Sequence, residues 1–252
     1  MSPPAASSSS GFMRGLPQQP RPLGILGGMG PLATVDFLDK LVRATPAGCD
    51  QAHIPLLVRF CPEVPDRVGA LLHGTPSPAP ALVAAALSLQ GCGVQALAMA
   101  CNTAYAWYDD LAAALSIPVL HIVDSTLQRV HDLRLDDVGV GLLATSGALH
   151  AGIYRRRAAG AAWIEPSPQV QEACVATGIR AVKAGQHGLA RQLIIEAARH
   201  LVDRGAGVLV MGCTEVPLAL ASVDVGVPLV DSSDALAQAC VRWALELPAG
   251  GP

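Results

Sequence analysis

From Leu23 onward, short apolar runs alternate along the chain with longer segments rich in alanine and leucine. The short runs are typical of buried strands, and the longer segments have the length of helices that cover a sheet. This alternation predicts an α/β fold in which helices flank parallel sheets. The predicted strands are 23–27, 55–60, 95–100, 118–122, 138–143, 161–165, 207–211 and 228–230. The predicted helices are 32–44, 78–91, 104–116, 124–133, 147–159, 168–184, 187–204 and 233–247.

Two pieces of this pattern occur twice. Residues 23–30 and 140–147 each read as a strand that runs into a glycine-containing loop, and residues 96–103 and 208–215 each read as a buried strand followed by a cysteine. Ligands of open α/β sheets bind outside the carboxyl ends of the strands. We therefore expect two pseudo-symmetric small domains, each a parallel sheet flanked by helices, with the active site in the cleft between them.

The domain boundaries follow from composition and from this repeat. Residues 1–22 are rich in proline, serine and glutamine without apolar periodicity, which predicts a disordered leader. The expected N-terminal α/β domain comprises 23–117 together with 228–252, and the expected C-terminal α/β domain comprises 118–227.

Composition and charge exclude several classes of function. The formal net charge is −3 and only 15% of the 252 residues are charged, so the basic surface of a nucleic-acid-binding protein is not expected. No apolar stretch is long enough to predict a membrane span, and the first residues do not resemble a secretory signal, so we expect a cytoplasmic protein. The seven cysteines form no C-x-x-C pair, which favours reduced thiols over disulfides.

Cys101 and Cys213 are the repeated cysteines, and each follows a predicted buried strand. A thiol at the start of a helix has a lowered pKa and acts as a base near neutral pH. Two such thiols on opposite faces of one carbon can remove a proton from one side and return a proton from the other, which inverts the stereocentre. The substrate then needs an acidic C–H, normally beside a carboxylate that the site must hold.

Several neighbouring residues are candidates for holding that carboxylate. The donors that follow the two cysteines are Asn102, Thr103 and Thr214. Arg67 is either a bidentate carboxylate clamp or half of a surface ion pair with Asp66 or Glu63. The glycine loop 27–30 is either a close backbone contact for a ligand or only a tight turn. The histidines lack the spacing of metal ligands, so no metal site is expected.

Five blocks of the sequence together resemble the aspartate/glutamate racemase superfamily, most closely its aspartate racemase branch. The resemblance covers residues 23–247. The blocks are Gly24–Thr34, Pro65–Arg67, Cys101–Ala104, Val182–Gly185 and Gly212–Glu215.

The resemblance implies an amino-acid racemase that needs neither pyridoxal phosphate nor a metal, acts on a small acidic amino acid and forms a homodimer. It implies that Cys101 and Cys213 are the two acid/base thiols, and that Arg67 and Lys183 are basic residues close to the substrate, with Arg67 suited to its side-chain carboxylate. It also implies that Asn102, Thr103 and Thr214 bind the α-carboxylate. Met29 and Gly30 are implied to line the first loop. Further candidates in the same blocks and their repeat are Thr34, Tyr105, Thr145 and Glu215.

The chain departs from the family pattern at two positions, Tyr105 and Cys61, and from the glutamate racemases at Glu215. Tyr105 stands where family members often have histidine, and a phenol titrates near 10, which argues against a proton relay there. Cys61 lies in a segment that usually carries an amide. Glu215 stands where glutamate racemases typically have histidine, which disfavours the glutamate branch.

The leading interpretation is an aspartate racemase with a two-base mechanism. The alternatives are a glutamate or broad-specificity racemase, and another isomerase or a decarboxylase on the same fold, although relatives of that kind use one cysteine. A catalytically idle amino-acid-binding protein is the alternative outside enzymes.

Overall fold

Four parallel strands form the first sheet, in the order β2-β1-β3-β4. The structure is a computed structural model that describes residues 20–135 and 138–246. The strands of this sheet are β1 (Leu23–Gly27), β2 (Leu56–Phe60), β3 (Ala96–Met99) and β4 (Val119–Leu120). The two central strands, β1 and β3, are buried along their whole length, as expected for strands covered on both faces.

The second sheet has the same arrangement, β6-β5-β7-β8, and is also parallel. Its strands are β5 (Gly139–Ala144), β6 (Trp163–Ile164), β7 (Ala206–Gly212) and β8 (Leu229–Asp231). In both sheets the first strand of the half lies between the second and the third, and the fourth lies beyond the third. This shared order confirms the two-domain α/β fold and agrees with the internal repeat of the sequence.

Helices flank both sheets. In the first half they are α1 (Pro31–Ala44), α2 (Arg67–His73), α3 (Ala79–Gly91), α4 (Tyr108–Ala114) and α5 (Ile122–Asp132). In the second half they are α6 (Ser146–Ala151), α7 (Ile153–Arg157), α8 (Pro168–Val170), α9 (Thr177–Lys183), α10 (His187–Asp203) and α11 (Ser232–Leu245). Short 3-10 segments cover Asp50–Ala52, Thr103–Trp107, Val216–Leu218 and Ser222–Asp224, and a π-helical turn covers Gln171–Ala176.

Each predicted strand is present, but three predicted helices are interrupted. Gly152 adopts a left-handed φ of 61°, which ends α6 and divides the predicted helix 147–159. The predicted helix 168–184 contains the π-helical turn between α8 and α9. The predicted helix 104–116 begins as a 3-10 segment before α4, in a stretch whose aromatic residues are weaker helix formers.

After β8 the chain leaves the second half and returns to the first. Strand β8 pairs with β7 in the second sheet, although the expected boundary at 228 assigns it to the N-terminal domain. The following helix, α11, packs against α1 and α5 of the first half, and Lys40 of α1 forms an ion pair of 2.6 Å with Asp231, the N-cap of α11. We therefore propose that the N-terminal domain resumes at Ser232. We also propose that its first part extends past the expected boundary at 117, because β4 pairs with β3 in the first sheet.

Most of the expected leader, residues 1–19, lies outside the described residues. Its last residues are hydrogen-bonded, since the Arg21 amide donates to the carbonyl of Ala244 at 2.9 Å and the Pro22 carbonyl accepts from the Gln95 amide at 2.8 Å. The fold thus begins two residues earlier than expected. Among the described residues, the helices are too short or too polar to cross a membrane.

Candidate active site

Cys101 and Cys213 occupy equivalent places in the two halves. Cys101 follows β3 by two residues and is 5% exposed, and Cys213 directly follows β7 and is 3% exposed. Both cysteines therefore lie at the carboxyl ends of central strands, where α/β proteins bind their ligands. The polar residues that follow them, Asn102, Thr103 and Thr214, are also buried.

Glu215 connects Cys213 to Lys183. The Cys213 thiol donates a hydrogen bond to Glu215 Oε2 at 3.1 Å, and the Thr214 hydroxyl donates to the same oxygen at 3.3 Å. The second oxygen, Oε1, forms an ion pair of 3.3 Å with Lys183 Nζ at the end of α9. The side chain of Glu215 is only 5% exposed, whereas that of Lys183 is 44% exposed. The cation thus lies at the opening of the site and the carboxylate lies inside.

The ammonium group of Lys183 lies within electrostatic range of both candidate thiols. Burial disfavours its charge, but Glu215, Cys213 and Cys101 outweigh this effect, and the pKa of Lys183 lies above its usual value even though Arg67 acts in the opposite sense. The charge of Lys183 in α9 is therefore influenced by residues of three other segments. These residues are Cys101 after β3, Cys213 after β7 and Arg67 of α2.

The pKa of Cys213 contradicts the expectation of an acidic thiol. Burial, and then the nearby carboxylate of Glu215, raise the pKa of Cys213 well above its ordinary value, and Lys183 offsets only part of this effect. The expectation assumed that the thiol lies at the start of a helix. Only the short 3-10 segment Val216–Leu218 follows Cys213, so the dipole available there is small.

The glycine loop after β1 is shaped by its neighbours. Gly28 has a φ of 89°, and a Cβ there would lie 2.5 Å from the main-chain nitrogen of Cys61, so only glycine fits. A Cβ at Gly30 would lie 2.6 Å from Glu215 Oε1, which places this loop against the site of the second half. Thr34 is fully buried, accepts from the Gly28 amide at 2.8 Å and donates to the Gly30 carbonyl at 2.9 Å, so it braces the loop.

Arg67 fastens the same loop to the start of α2. Its guanidinium donates to the carbonyls of Met29, Val64 and Pro65 at 3.1–3.2 Å. Asp66, the ion-pair partner considered from the sequence, instead caps α2 by accepting from the Gly69 amide at 2.6 Å. The Nε atom of Arg67 is buried and has no hydrogen-bond partner among the described residues, which leaves a donor for a ligand.

Asn102 belongs to a buried network that spans the two halves. Its Nδ2 donates to the Ser232 hydroxyl at 2.9 Å, and its Oδ1 accepts from the Tyr154 hydroxyl at 2.6 Å. Ser232 in turn donates to the carbonyl of Met211 in β7 at 2.7 Å. These contacts fix the amide of Asn102 and leave one of its two N–H groups for another partner.

A second contact between the halves joins Thr103 and Thr145, whose hydroxyls are 2.8 Å apart. Thr145 is the N-cap of α6 and also accepts from the Ala148 amide at 3.1 Å. The loop after β3 and the loop after β5 therefore meet at this pair of hydroxyls.

Comparison with known proteins identifies the family. A family model described as Asp/Glu/Hydantoin racemase matches residues 26–240. The chain belongs to this racemase family. It is an isomerase, an amino-acid racemase, and the resemblance noted from the sequence is confirmed.

Relatives of this racemase cover nearly its whole described length. The aspartate racemase of Picrophilus torridus is 30% identical and superimposes with a TM-score of 0.79, over 89% of this chain and 94% of that chain. The broad specificity amino-acid racemase RacX of Bacillus subtilis is 26% identical over 227 residues, 88% of this chain and 98% of the relative. A glutamate racemase of Deinococcus radiodurans is 29% identical over 240 residues, 88% of this chain and 74% of the relative.

Tyr105 of this racemase is a structural residue. It is 3% exposed, its hydroxyl accepts from the Met99 amide at 3.1 Å and donates to the Leu120 carbonyl at 2.8 Å, and its ring lies 4.7 Å from that of His121. The hydroxyl therefore joins β3 to β4, and burial raises its pKa well above its usual value. Tyr105 takes no part in the hydrogen bonds described around Cys101 and Cys213.

The sequence reasoning missed Tyr154 and Ser232, the two partners of Asn102. Tyr154 lies in α7 and Ser232 begins α11, far along the chain from Asn102. The only signal was the run Asp231–Ser233 after a predicted strand, which is typical of a helix N-cap. Among the described residues, no cluster of three or more potential metal ligands is present.

Proposed function

We propose that this racemase interconverts the enantiomers of a small acidic amino acid, aspartate first, by a two-base mechanism with Cys101 and Cys213. The observation that carries the proposal is the placement of the two buried cysteines at the carboxyl ends of equivalent central strands, β3 and β7. Lys183, paired with Glu215 beside Cys213, supplies positive charge for a reaction in which negative charge moves from one sulfur, through the substrate, to the other.

In this mechanism the thiolate of one cysteine removes the α-proton, and the electron pair of the C–H bond is delocalised into the α-carboxylate. The thiol of the other cysteine then donates its proton to the opposite face of the planar carbanion. The substrate leaves with inverted configuration, and the two sulfurs have exchanged protonation states. The reverse reaction starts from this second state, so each enantiomer uses a different cysteine as base.

The cations of the site support an acidic substrate. Arg67 lies at the first loop with an unpartnered Nε, and Lys183 lies half-exposed at the opening. We propose that these two groups bind the carboxylates, together with the donors of Asn102, Thr103 and Thr214. Arg67 and Lys183 carry two positive charges against the one negative charge of Glu215, so about one net positive charge remains before a thiol ionises, which favours acidic over neutral amino acids.

Aspartate is preferred because the Picrophilus aspartate racemase is similar over almost the whole of both chains. A broad-specificity racemase is the second candidate, since this chain is similar to RacX of Bacillus subtilis over 98% of the length of RacX.

We also propose a cytoplasmic homodimer. The seven cysteines are free, which suits a reducing compartment. Strand β2 is an edge strand whose Val58 and Phe60 are 41% and 46% exposed, and α1 exposes Val35 and Val42 by 56% and 52%. We propose that these side chains form part of an apolar interface with a second copy.

The test is incubation of the purified chain with single enantiomers of aspartate, glutamate and neutral amino acids in deuterated buffer. Chiral chromatography reports inversion, and mass spectrometry reports exchange of the α-hydrogen. The proposal predicts fastest inversion for aspartate, with one deuterium gained per inversion. Binding of aspartate without exchange would instead favour the non-catalytic alternative.

A further inference from the structure

Glu215 holds a buried carboxylate 3.1 Å from the candidate catalytic thiol of Cys213, and neither the family match nor the relatives assign it a role. We propose that Glu215 is a positioning residue for Cys213: it accepts a hydrogen bond from the thiol, orients the sulfur, and couples its charge to Lys183. This inference rests on the proposed function of Cys213 as one of the two acid/base groups.

The two oxygens of Glu215 have separate partners. Oε2 accepts from the Cys213 thiol at 3.1 Å and from the Thr214 hydroxyl at 3.3 Å, whereas Oε1 faces Lys183 Nζ at 3.3 Å. A carboxylate shared in this way bridges the sulfur to the cation through one rigid group. A change of charge on the sulfur is therefore coupled electrostatically to Lys183 through the buried Glu215 carboxylate, where solvent screening is weak.

The surrounding fold keeps space for this carboxylate. Gly30 caps the start of α1, and a Cβ there would lie 2.6 Å from Glu215 Oε1, so the loop of the first half approaches the carboxylate closely only because residue 30 is glycine. Oε1 is buried and accepts no hydrogen bond from the described residues beyond its ion pair. Burial of a charge costs stability even when the charge is paired, which argues for a functional reason to keep it.

The arrangement makes the two thiols unequal. A hydrogen bond to a carboxylate stabilises the protonated sulfur and opposes its ionisation, so Cys213 rests as a proton donor. Among the described residues, Cys101 has no hydrogen-bonded carboxylate. When Cys213 gives its proton to the α-carbon, the new thiolate lies beside Glu215, and Lys183 compensates the added charge. When Cys213 removes a proton, the thiol so formed regains the bond to Glu215.

Few groups of the described residues act on the charge of Cys213. Glu215 lies on the same loop, Lys183 faces it from α9, and the phenol of Tyr154 lies within electrostatic range from α7. Tyr154 stays neutral because burial raises its pKa, so Glu215 is the group whose charge opposes ionisation of Cys213.

The first experiment compares Glu215→Gln with wild type for both enantiomers of aspartate. We expect kcat to fall about 10- to 100-fold with KM changed less than about threefold, because the alignment of the thiol is lost while the binding cations remain. Removing the negative charge lowers the pKa of Cys213, so the limb of each pH profile that reports Cys213 moves about 1 unit to lower pH. For the enantiomer that needs Cys213 as the protonated acid, this is the alkaline limb. For the enantiomer that needs Cys213 as the thiolate base, it is the acid limb.

Two further variants serve as controls. Glu172→Gln removes an exposed glutamate paired with Arg180 and should leave kcat and both limbs unchanged. Glu215→Asp retains the charge but shortens the side chain by one methylene, so we expect a smaller loss of kcat and limbs close to those of wild type. If Glu215→Gln behaves like Glu172→Gln, or if Glu215→Asp shifts the limbs as far as Glu215→Gln, the inference is wrong.

A second measurement needs no turnover and therefore separates this inference from the proposed function. Alkylation of Cys213 by iodoacetamide is followed against pH by peptide mass spectrometry in wild type, Glu215→Asp and Glu215→Gln. We expect the midpoint for Cys213 to be lowest in Glu215→Gln, by about 1 unit. Equal midpoints would overturn the role of Glu215 even in an active racemase, and a shifted midpoint would support it even if aspartate is not the substrate. If Glu215→Gln does not fold, Glu215→Ala takes its place, and the inference requires its midpoint for Cys213 to lie below those of wild type and Glu215→Asp.

Discussion

The hydroxyls of Thr103 and Thr145 lie 2.8 Å apart and join the loop after β3 to the loop after β5. Each loop follows a central strand of a different sheet, so the carboxyl ends of the two sheets converge here. Convergence of two strand ends is the condition that a two-base reaction between domains requires, because the acid and the base must approach the substrate from opposite sides.

Replacing either candidate thiol should stop racemisation. For Cys101→Ala and Cys213→Ala we expect a fall in kcat of at least about 1000-fold, since each direction of the reaction needs both groups. Each variant should still exchange the α-hydrogen of one enantiomer with deuterated water, because one base remains. The measurement is mass spectrometry of each separated enantiomer.

Cys240 provides the matched control for the thiol variants. It is buried in α11, and burial raises its pKa, as it does for Cys213. Cys240→Ala should reduce stability through lost packing and leave kcat within about twofold. Full turnover in either Cys101→Ala or Cys213→Ala would contradict the two-base mechanism.

Removal of the cation at the opening of the site should weaken substrate binding. Lys183→Met removes the ammonium and leaves Glu215 without its ion-pair partner. We expect kcat/KM for aspartate to fall about 100-fold, with much of the loss in KM, since a charge-assisted contact to a carboxylate contributes about 2–3 kcal/mol. Steady-state kinetics check this result.

Arg180→Met is the control for Lys183→Met, because Arg180 lies one turn earlier in α9 and its side chain is 62% exposed. Its ion pair with Glu172 is on the surface and should contribute little to activity. Equal kinetics for Lys183→Met and wild type would exclude Lys183 from substrate binding.

The sequence was sufficient to place the two cysteines but not to describe their surroundings. Cys101 and Cys213 end apolar runs with repeated context, and strand ends are readable from such runs. The partners of Asn102 were not readable, because Tyr154 and Ser232 reach it from distant elements. The raised pKa of Cys213 depends on burial and on the side-chain position of Glu215, which only the tertiary structure defines.

Tyr105→Phe should reduce stability without reducing activity. The variant removes a buried hydroxyl that joins Met99 to Leu120, and leaves an amide and a carbonyl unpaired. We expect a loss of about 2 kcal/mol in the free energy of unfolding, or about 4–8 °C in Tm. Tyr108→Phe is the control, since Tyr108 is partly exposed and contacts His121 and Arg157 through its ring. A large loss of kcat in a folded Tyr105→Phe variant would contradict the structural role.

Disruption of the exposed edge should dissociate the proposed dimer. Phe60→Ser removes the large apolar side chain of β2, and we expect the mass measured by light scattering after size-exclusion chromatography to halve at micromolar concentration. Val223→Ser is the control, because Val223 is 88% exposed but lies in the second half, away from β2. A wild-type chain that elutes as a monomer, or a dimer that Phe60→Ser leaves intact, would contradict this interface.

Stability should fall as pH decreases through the range in which His121 titrates in the unfolded chain. Burial, and then the charge of Arg157, lower the pKa of His121 from 6.5 to about 3 in the folded protein. Its Nδ1 accepts from the Val123 amide at 3.1 Å, so the folded state requires the unprotonated nitrogen. Between pH 6.5 and about 3 the unfolded chain binds a proton that the folded protein does not, so this contribution to stability is complete above pH 6.5 and decreases below it.

The size of this effect is about 2–3 kcal/mol between pH 6.5 and pH 4, measured by urea unfolding. His121→Asn keeps a side-chain acceptor for the Val123 amide but cannot titrate, so its stability should change less over this range than that of wild type. His73→Asn, at an exposed position at the end of α2, should retain the full dependence. The same pH dependence in His121→Asn and wild type would show that His121 is protonated in the folded protein as readily as in the unfolded chain, because only a difference in proton binding between the two states makes stability depend on pH.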